Sequence, residues 1–472
     1  MLTSNLYNPT DMKLIKSIAV NSSLLLALTS LLITGCEKRL DIAPYQSIAE
    51  DRALNTEGDV LVTLIGCYDG IQNPANLGGE IMVLNDLIGN AANINFTGTF
   101  AGLNDAYNGL MVANNSFAAS TWSTSYNVIN RCNNVLSAVD KVTSSPAKKN
   151  SVEGEALFLR ATLYFELVRL YGKAIGDGDA STNPGVPLVL QPTRGVTDAD
   201  YKPRSSVRQV YDQVVADLTR AETLLPSSNG FYANKWAAAA MLSRVHLMQK
   251  NYPAARDAAN RVITSSGRTL NSDFTRLWFT MINNGGAMPS EYLFGVKVTT
   301  QDGANAMNTY YGRTISGMPG TAGRSDCKIR PAHIALYEAG DRRNFFVLSG
   351  GSYYTQKHLD RFGDVPVIRL AEMFLTRAEC NFRENTSVGA TPLEDVNRIR
   401  TRATLAPLAS VDLNAITRER YLELAFEGHN LHEAKRLQVS VGSFAWNSPK
   451  LIMPIPQREM DVNKQLVQNA GY

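Results

Sequence analysis

The sequence is short of several things that would point to chemistry. Its five cysteines, Cys36, Cys67, Cys132, Cys327 and Cys380, include no CxxC pair, so neither a zinc ribbon nor a thioredoxin-type motif is encoded. There is no G-x-S-x-G, no Walker-type phosphate loop and no H-E-x-x-H. Formal net charge is only +3 across 472 residues, and no basic tract interleaves with aromatics, so nucleic acid is not an expected partner. No apolar run reaches the roughly 20 residues that a membrane-spanning helix needs. Tryptophan is scarce, with four residues, which weakens the case for a large aromatic platform.

What is present supports a large fold. Apolar residues make up 44% of the chain and charged residues 19%, enough for a substantial core and too hydrophobic for global disorder. Apart from Cys36, the cysteines read as small buried hydrophobes, although spacing alone leaves their pairing open.

The start of the chain carries an export signal. Lys13 and Lys16 precede the apolar run Leu24 to Ile33, which Thr29 and Ser30 interrupt, and Thr34-Gly35-Cys36 closes it. Ile33-Thr34-Gly35-Cys36 looks like a bacterial lipobox. That resemblance implies cleavage of residues 1–35 and palmitate-type acylation of Cys36. Several acyl chains, at about 0.8 kcal/mol per buried CH₂, would hold the mature chain 36–472 on a membrane. Met1 and Met12 both remain open as starts.

Most of 48–265 has helical periodicity. Val207, Val210, Tyr211, Val214, Leu218 and Ala221 form one stripe. Ala156, Leu159, Leu163, Leu167 and Leu170 form another, ending at Gly172. From Asn234 to Gly267 two helices meet at a short turn, with Pro253 in the first turn of the second and small residues at the contact; this is a loose tetratricopeptide-like pair. A later pair is expected from one helix over 366–384 and another opened by the capping box Thr391-Pro392-Leu393-Glu394.

Three stretches break the helical pattern: 85–125, 271–330 and 349–364. The first two combine aromatics with Asn and Arg. Loops on a rigid scaffold are where binding residues concentrate. Aromatic faces suit the C–H side of a sugar ring, and amides and guanidinium groups suit its hydroxyls. The candidate ligand-binding residues are Phe96, Phe100, Asn104, Tyr107, Tyr310, Tyr311, Arg313 and Arg324. Trp122, leading into a helix through Tyr126, Ile129 and Asn133, is expected in the core, as are Trp278 and Phe279. His429 and His432 share a helix face but read as polar packing rather than metal ligands. Asp177-Gly178-Asp179 begins like a calcium loop but has Leu188 where the last ligand should be, so it reads as a turn. No cofactor or metal is expected.

The C-terminal end is the most specific stretch. A helical run from Arg420 through Glu423, Phe426-Glu427-Gly428-His429 to Lys435-Arg436 is followed by Leu451-Ile452-Met453-Pro454-Ile455-Pro456, then Gln468-Asn469-Ala470-Gly471-Tyr472. Pro454 and Pro456 stiffen an extended tail with apolar anchors. These segments, with Gly154 to Ala161 and Arg369 to Glu379, resemble the SusD/RagB family of surface nutrient-binding lipoproteins of Bacteroidetes. The sequence departs from the family's usual Arg-Trp at Asn430-Leu431 and from its Asp-Leu at Glu433-Ala434.

The resemblance implies a mainly α fold: a tetratricopeptide-like scaffold interleaved with an irregular, loop-rich binding half. It implies one SusD-like domain over 36–472, its N-terminal part about 36–230 and its C-terminal part about 231–472. It also implies an outer-membrane, surface-exposed protein that is not an enzyme. Such a protein captures a glycan and passes it to a SusC-like TonB-dependent transporter. A peptide ligand, a surface glycosidase and a helical-repeat adaptor are the alternatives. Carboxylate separation is not readable from sequence, so the glycosidase alternative stays open.

Overall fold

Helices begin where the sequence supplies caps. The computed structural model describes residues 54–472, apart from Ala91 and Val196; the expected signal segment and Cys36 lie outside the described residues. In chain order the longer helices are α1 (Glu57–Gln72), α2 (Glu80–Ile88), α3 (Ala101–Asn108), α4 (Ser116–Ser137), α5 (Pro146–Tyr171), α6 (Val207–Leu224), α7 (Lys235–Met248) and α8 (Tyr252–Ser265). The short α9 (Thr280–Asn284), α10 (Ala306–Tyr311) and α11 (Pro331–Ile334) follow, then α12 (Leu370–Glu384), α13 (Pro392–Arg402), α14 (Leu413–Glu423), α15 (Asn430–Leu437) and α16 (Gln457–Val462). Ser206 and Thr391 make reciprocal capping boxes with Gln209 and Glu394, and Asn234 accepts from the backbone of Trp236 and Ala237.

Consecutive helices pack side by side: α4 on α5, α5 on α6, α6 on α7, α7 on α8, then α8 on α12, which carries α13 and α14. This is the stacked-pair scaffold that the sequence implies. In α7 and α8 the small residues Ala237, Ala239, Ala240, Ala255 and Ala259 are all buried, so the backbones approach closely enough for Ser243 Oγ to donate to Ala255 O at 2.9 Å. α5 is buried all round over its last five turns, as a central helix must be. Trp122, Trp278 and Phe279 are core, and Cys67, Cys132, Cys327 and Cys380 are buried free thiols. Among the described residues no helix is long and apolar enough to cross a membrane.

Three expectations need correcting. The stretch 366–384 is not one helix. Residues Val365–Arg369 form strand β6, paired antiparallel with β2 (Tyr292–Val296) from Tyr292↔Arg369 to Val296↔Val365, and helix starts only at Leu370. Pro366 denies a helical bond and the β-branched Val367 and Ile368 suit a pleated, buried strand. Trp122 also lies inside α4 rather than before it, because Asn115 caps the helix earlier.

The run from Arg420 to Arg436 is two helices joined by a turn. Phe426 and Gly428 take φ of +63° and +76°, and Gly428 N donates to both Asp86 carboxylate oxygens at 3.2 Å. The flanking charges form a buried network. Arg369 donates to Glu291 at 2.9 Å, Glu423 at 2.6 Å and Glu427 at 2.8 Å. Arg420 bridges Glu372 and Glu433, and Arg436 bridges Glu379 and Glu433. The charged residues of this stretch therefore serve packing between α12, α14 and α15.

The tail is strapped down as its sequence predicts. Leu451, Ile452, Met453 and Ile455 are buried. Asn469 Nδ2 donates to Tyr171 O and Met453 O, both at 2.8 Å, tying the chain end to the end of α5.

Candidate functional site

The first two irregular stretches meet through β-pairing. Strand β1 (Ile94–Phe96) pairs antiparallel with β3 (Cys327–Ile329), with Asn95 opposite Lys328. β3 continues onto β5 (Ser352–Thr355), which pairs with β4 (Phe346–Ser349), giving the order β1-β3-β5-β4. All three irregular stretches thus contribute to one small sheet. Thr97 N donates to Asp326 O at 2.8 Å, extending the pairing past β1 and bringing the Phe100 loop beside Arg324. Gly323 lets that second segment fold back: a Cβ there would come within 2.2 Å of the Gly312 backbone.

Phe100 is the centre of the cluster. It stands before α3 with 41% of its surface exposed. Phe117 and Tyr310 meet its ring edge-on, with centroids at 5.9 and 6.0 Å. The Arg324 guanidinium lies over it, 4.7 Å from the ring centre. Arg324 is itself held by Asp326 Oδ2 at 2.9 Å and Thr99 Oγ1 at 3.0 Å. Asn104 Nδ2 donates to Gly98 O at 2.8 Å and Phe100 O at 3.2 Å, fixing the loop. Tyr310 is nearly buried and its hydroxyl reaches Glu80 Oε1 at 3.4 Å. Burial raises the Glu80 carboxyl above its ordinary value, and burial with the Glu80 charge raises the Tyr310 phenol.

The other predicted residues spread around this centre. Tyr107 is half-buried; its hydroxyl donates to Ile94 O at 3.3 Å and accepts from Arg330 Nη2 at 3.1 Å. Arg313 is half-buried beside the third stretch, where Nε donates to Ser349 Oγ at 2.9 Å and the guanidinium sits 4.9 Å from the Tyr354 ring centre. Phe96 and Tyr311 point inward. Phe96 is buried against Tyr107, and Tyr311 is fully buried with its hydroxyl on Asp86 Oδ2 at 2.9 Å.

Sequence reasoning missed Asp326, Phe117, Thr99, Glu80 and Arg330. Asp326 lies two residues from Arg324, but Ser325 between them takes φ +66°, a local turn that no sequence signal announced. Phe117 and Glu80 come from other elements and carried none.

Chemically, the cluster offers one open aromatic face, a fixed guanidinium, and carboxylate and hydroxyl groups within a few ångströms. That suits a ligand with both C–H surface and hydroxyls. Among the described residues no group of three or more His, Cys, Asp or Glu is placed to hold a metal ion.

Comparison with known proteins agrees with this architecture. Residues 40–247 match the family model described as starch-binding associating with outer membrane, and residues 275–448 match that of the SusD family. The chain is 23% identical to SusD-like protein P2 of Formosa agariphila, over 94% of this chain and 98% of that one. Its fold is similar to a SusD superfamily protein from Bacteroides thetaiotaomicron (TM-score 0.75, 24% identity, 88% of this chain and 99% of that one). It is also similar to surface glycan-binding protein A from Bacteroides uniformis (TM-score 0.74, 21% identity, 88% and 100%). With these two family models together covering most of the chain, it belongs to the SusD/RagB family.

Proposed function

We propose that this protein is a cell-surface lipoprotein that captures a glycan and delivers it to a SusC-like TonB-dependent outer-membrane transporter. The observation that carries the reading is the exposed Phe100 ring under the Arg324 guanidinium. In this reading a sugar ring stacks on the open part of Phe100. Arg324, with Asn104, Tyr107 and Arg313 around it, meets the hydroxyls. Tyr310 supports the Phe100 ring from its edge, Phe96 backs Tyr107, and Tyr311 stays in the core on Asp86. Cys36 carries the lipid, and the stacked helices α4 to α8 offer an extended face for the transporter. The action is binding and release, with no bond cleaved.

Affinity gel electrophoresis of the chain from residue 37 in a panel of polysaccharides, with reducing ends assayed in parallel, tests this. Retardation by a glycan without new reducing ends is the expected result. New reducing ends would make the protein a glycosidase. Retardation by no glycan, with binding to peptides, would replace the sugar by a peptide ligand.

A further inference from the structure

A small recess lies between the C-terminal end of α5, the turn after it and α15. Six of its lining residues carry basic side chains: Arg169, Lys173, Lys250, His432, Lys435 and Arg436. Among the described residues no acidic side chain lines it. Arg436 is matched by Glu379 and Glu433, and Arg169 by Glu166. Lys173 has only Asp177, at 4.0 Å.

The rest is uncompensated. Lys435 is 6% exposed, yet among the described residues its ammonium has a single acceptor, Arg169 O at 3.3 Å, and touches no carboxylate. An ammonium has three donors, so two of them lack a protein partner. Lys250 makes no side-chain hydrogen bond or ion pair among the described residues. His432, 5% exposed, has Nε2 without a partner, and the Nε atoms of Arg169 and Arg436 are equally unpaired. Among the described residues Lys435 is thus the one buried amine of the lining with no carboxylate in contact; burial and Arg169 lower its ammonium to about 7, against the raising by Asp177, and an anion beside it would hold the proton on.

We propose that this recess binds a small oxyanion, the carboxylate or sulfate group, through Lys435, Lys250, Lys173 and His432. Its size fits. The free volume is about 30 Å³, and one water-sized group needs roughly 10–15 Å³, so it takes the two oxygens of a carboxylate, or two of a sulfate's four with the others at the open rim by Lys173 and Lys250. The neutral imidazole of His432, kept uncharged by burial and by Arg169 and Lys435, can still turn an Nε2–H toward an anion. The oxyanion comes either from the medium or from an acidic sugar such as a uronate. The site stands whether or not Phe100 binds a glycan.

The test is calorimetric titration and thermal melting of the purified chain at constant ionic strength with acetate, sulfate, glucuronate, chloride and glucose. The expected result is saturable binding of one acetate or sulfate per chain, with none for glucose. Glucuronate much tighter than acetate assigns the anion to a sugar; equal affinities assign it to the medium. Lys435→Met weakens binding at least tenfold. Without anion it melts at or above the wild-type temperature, because a buried amine whose charged form burial disfavours has been removed. Lys250→Met, on the exposed rim, weakens binding three- to tenfold without touching the core. The proposal is overturned by melting shifts that rise without saturation, by a preference for chloride alone, or by unchanged affinity in Lys250→Met and Lys435→Met.

Discussion

The Arg324 guanidinium stands 4.7 Å from the centre of the Phe100 ring while Asp326 and Thr99 hold its Nε and Nη2. A side chain restrained in this way gives up little freedom when a ligand arrives. It also leaves Nη1, with no protein acceptor among the described residues, free to donate to a sugar hydroxyl.

Arg324→Ala is therefore expected to weaken glycan binding about tenfold, or ~1.4 kcal/mol. The Arg324 side chain is 40% exposed, so stability should stay within about 0.5 kcal/mol. Titration calorimetry and urea denaturation of the same preparation check both halves.

The buried ion-pair network predicts a large stability effect away from the site. Arg369→Ala leaves Glu291, Glu423 and Glu427 facing one another with fewer cations. Removing one partner of a buried pair costs about 3–5 kcal/mol. A urea midpoint close to wild type would show that the network contributes little.

Gly428 makes a sharper backbone prediction. At φ +76° an L side chain is strained, and a Cβ would lie 2.7 Å from Met82 Cα. The left-handed conformation alone costs roughly 1–2 kcal/mol. Gly428→Ala should lose more than ~2 kcal/mol in chemical denaturation once the displacement of α2 is added.

Stability should also depend on pH in two opposite ways. Burial would raise the Glu427 and Glu433 carboxyls, but Arg369 and Lys357 hold the first down at about 2, and Arg420 and Arg436 hold the second down at about 2. The unfolded chain then binds more protons than the folded one below about pH 4.5, so this stabilisation is present above that pH and is lost toward pH 2. Asp86 runs the other way. Burial lifts its carboxyl to about 7, against the lowering by Tyr311 and Gly428 N. Its contribution is present below pH ~4 and is lost as pH rises through 7. Denaturation across pH 3–9 should show both slopes, and Asp86→Asn should flatten only the upper one.

Much of the scaffold was legible because its signals are local. Ser206 with Gln209, Asn234, and Thr391 with Glu394 mark helix starts within four residues. Strand β6 was not legible, since Pro366 to Arg369 runs straight into α12 and its partner β2 lies far upstream. In the candidate site the residue types were legible and their grouping was not. Phe100 and Arg324 meet only through the β1–β3 pairing of distant segments. Tyr310 and Tyr311 are neighbours on α10, where successive side chains point roughly 100° apart. One reaches the Phe100 cluster and the other goes to Asp86 in the core.

The most direct test of the account is a calorimetric titration of wild type and Phe100→Ala with whichever glycan retards the wild-type chain in gels. The account predicts one site per chain for wild type and a loss of affinity of tenfold or more for Phe100→Ala at unchanged melting temperature. Equal affinities for the two proteins would contradict it and place the ligand elsewhere.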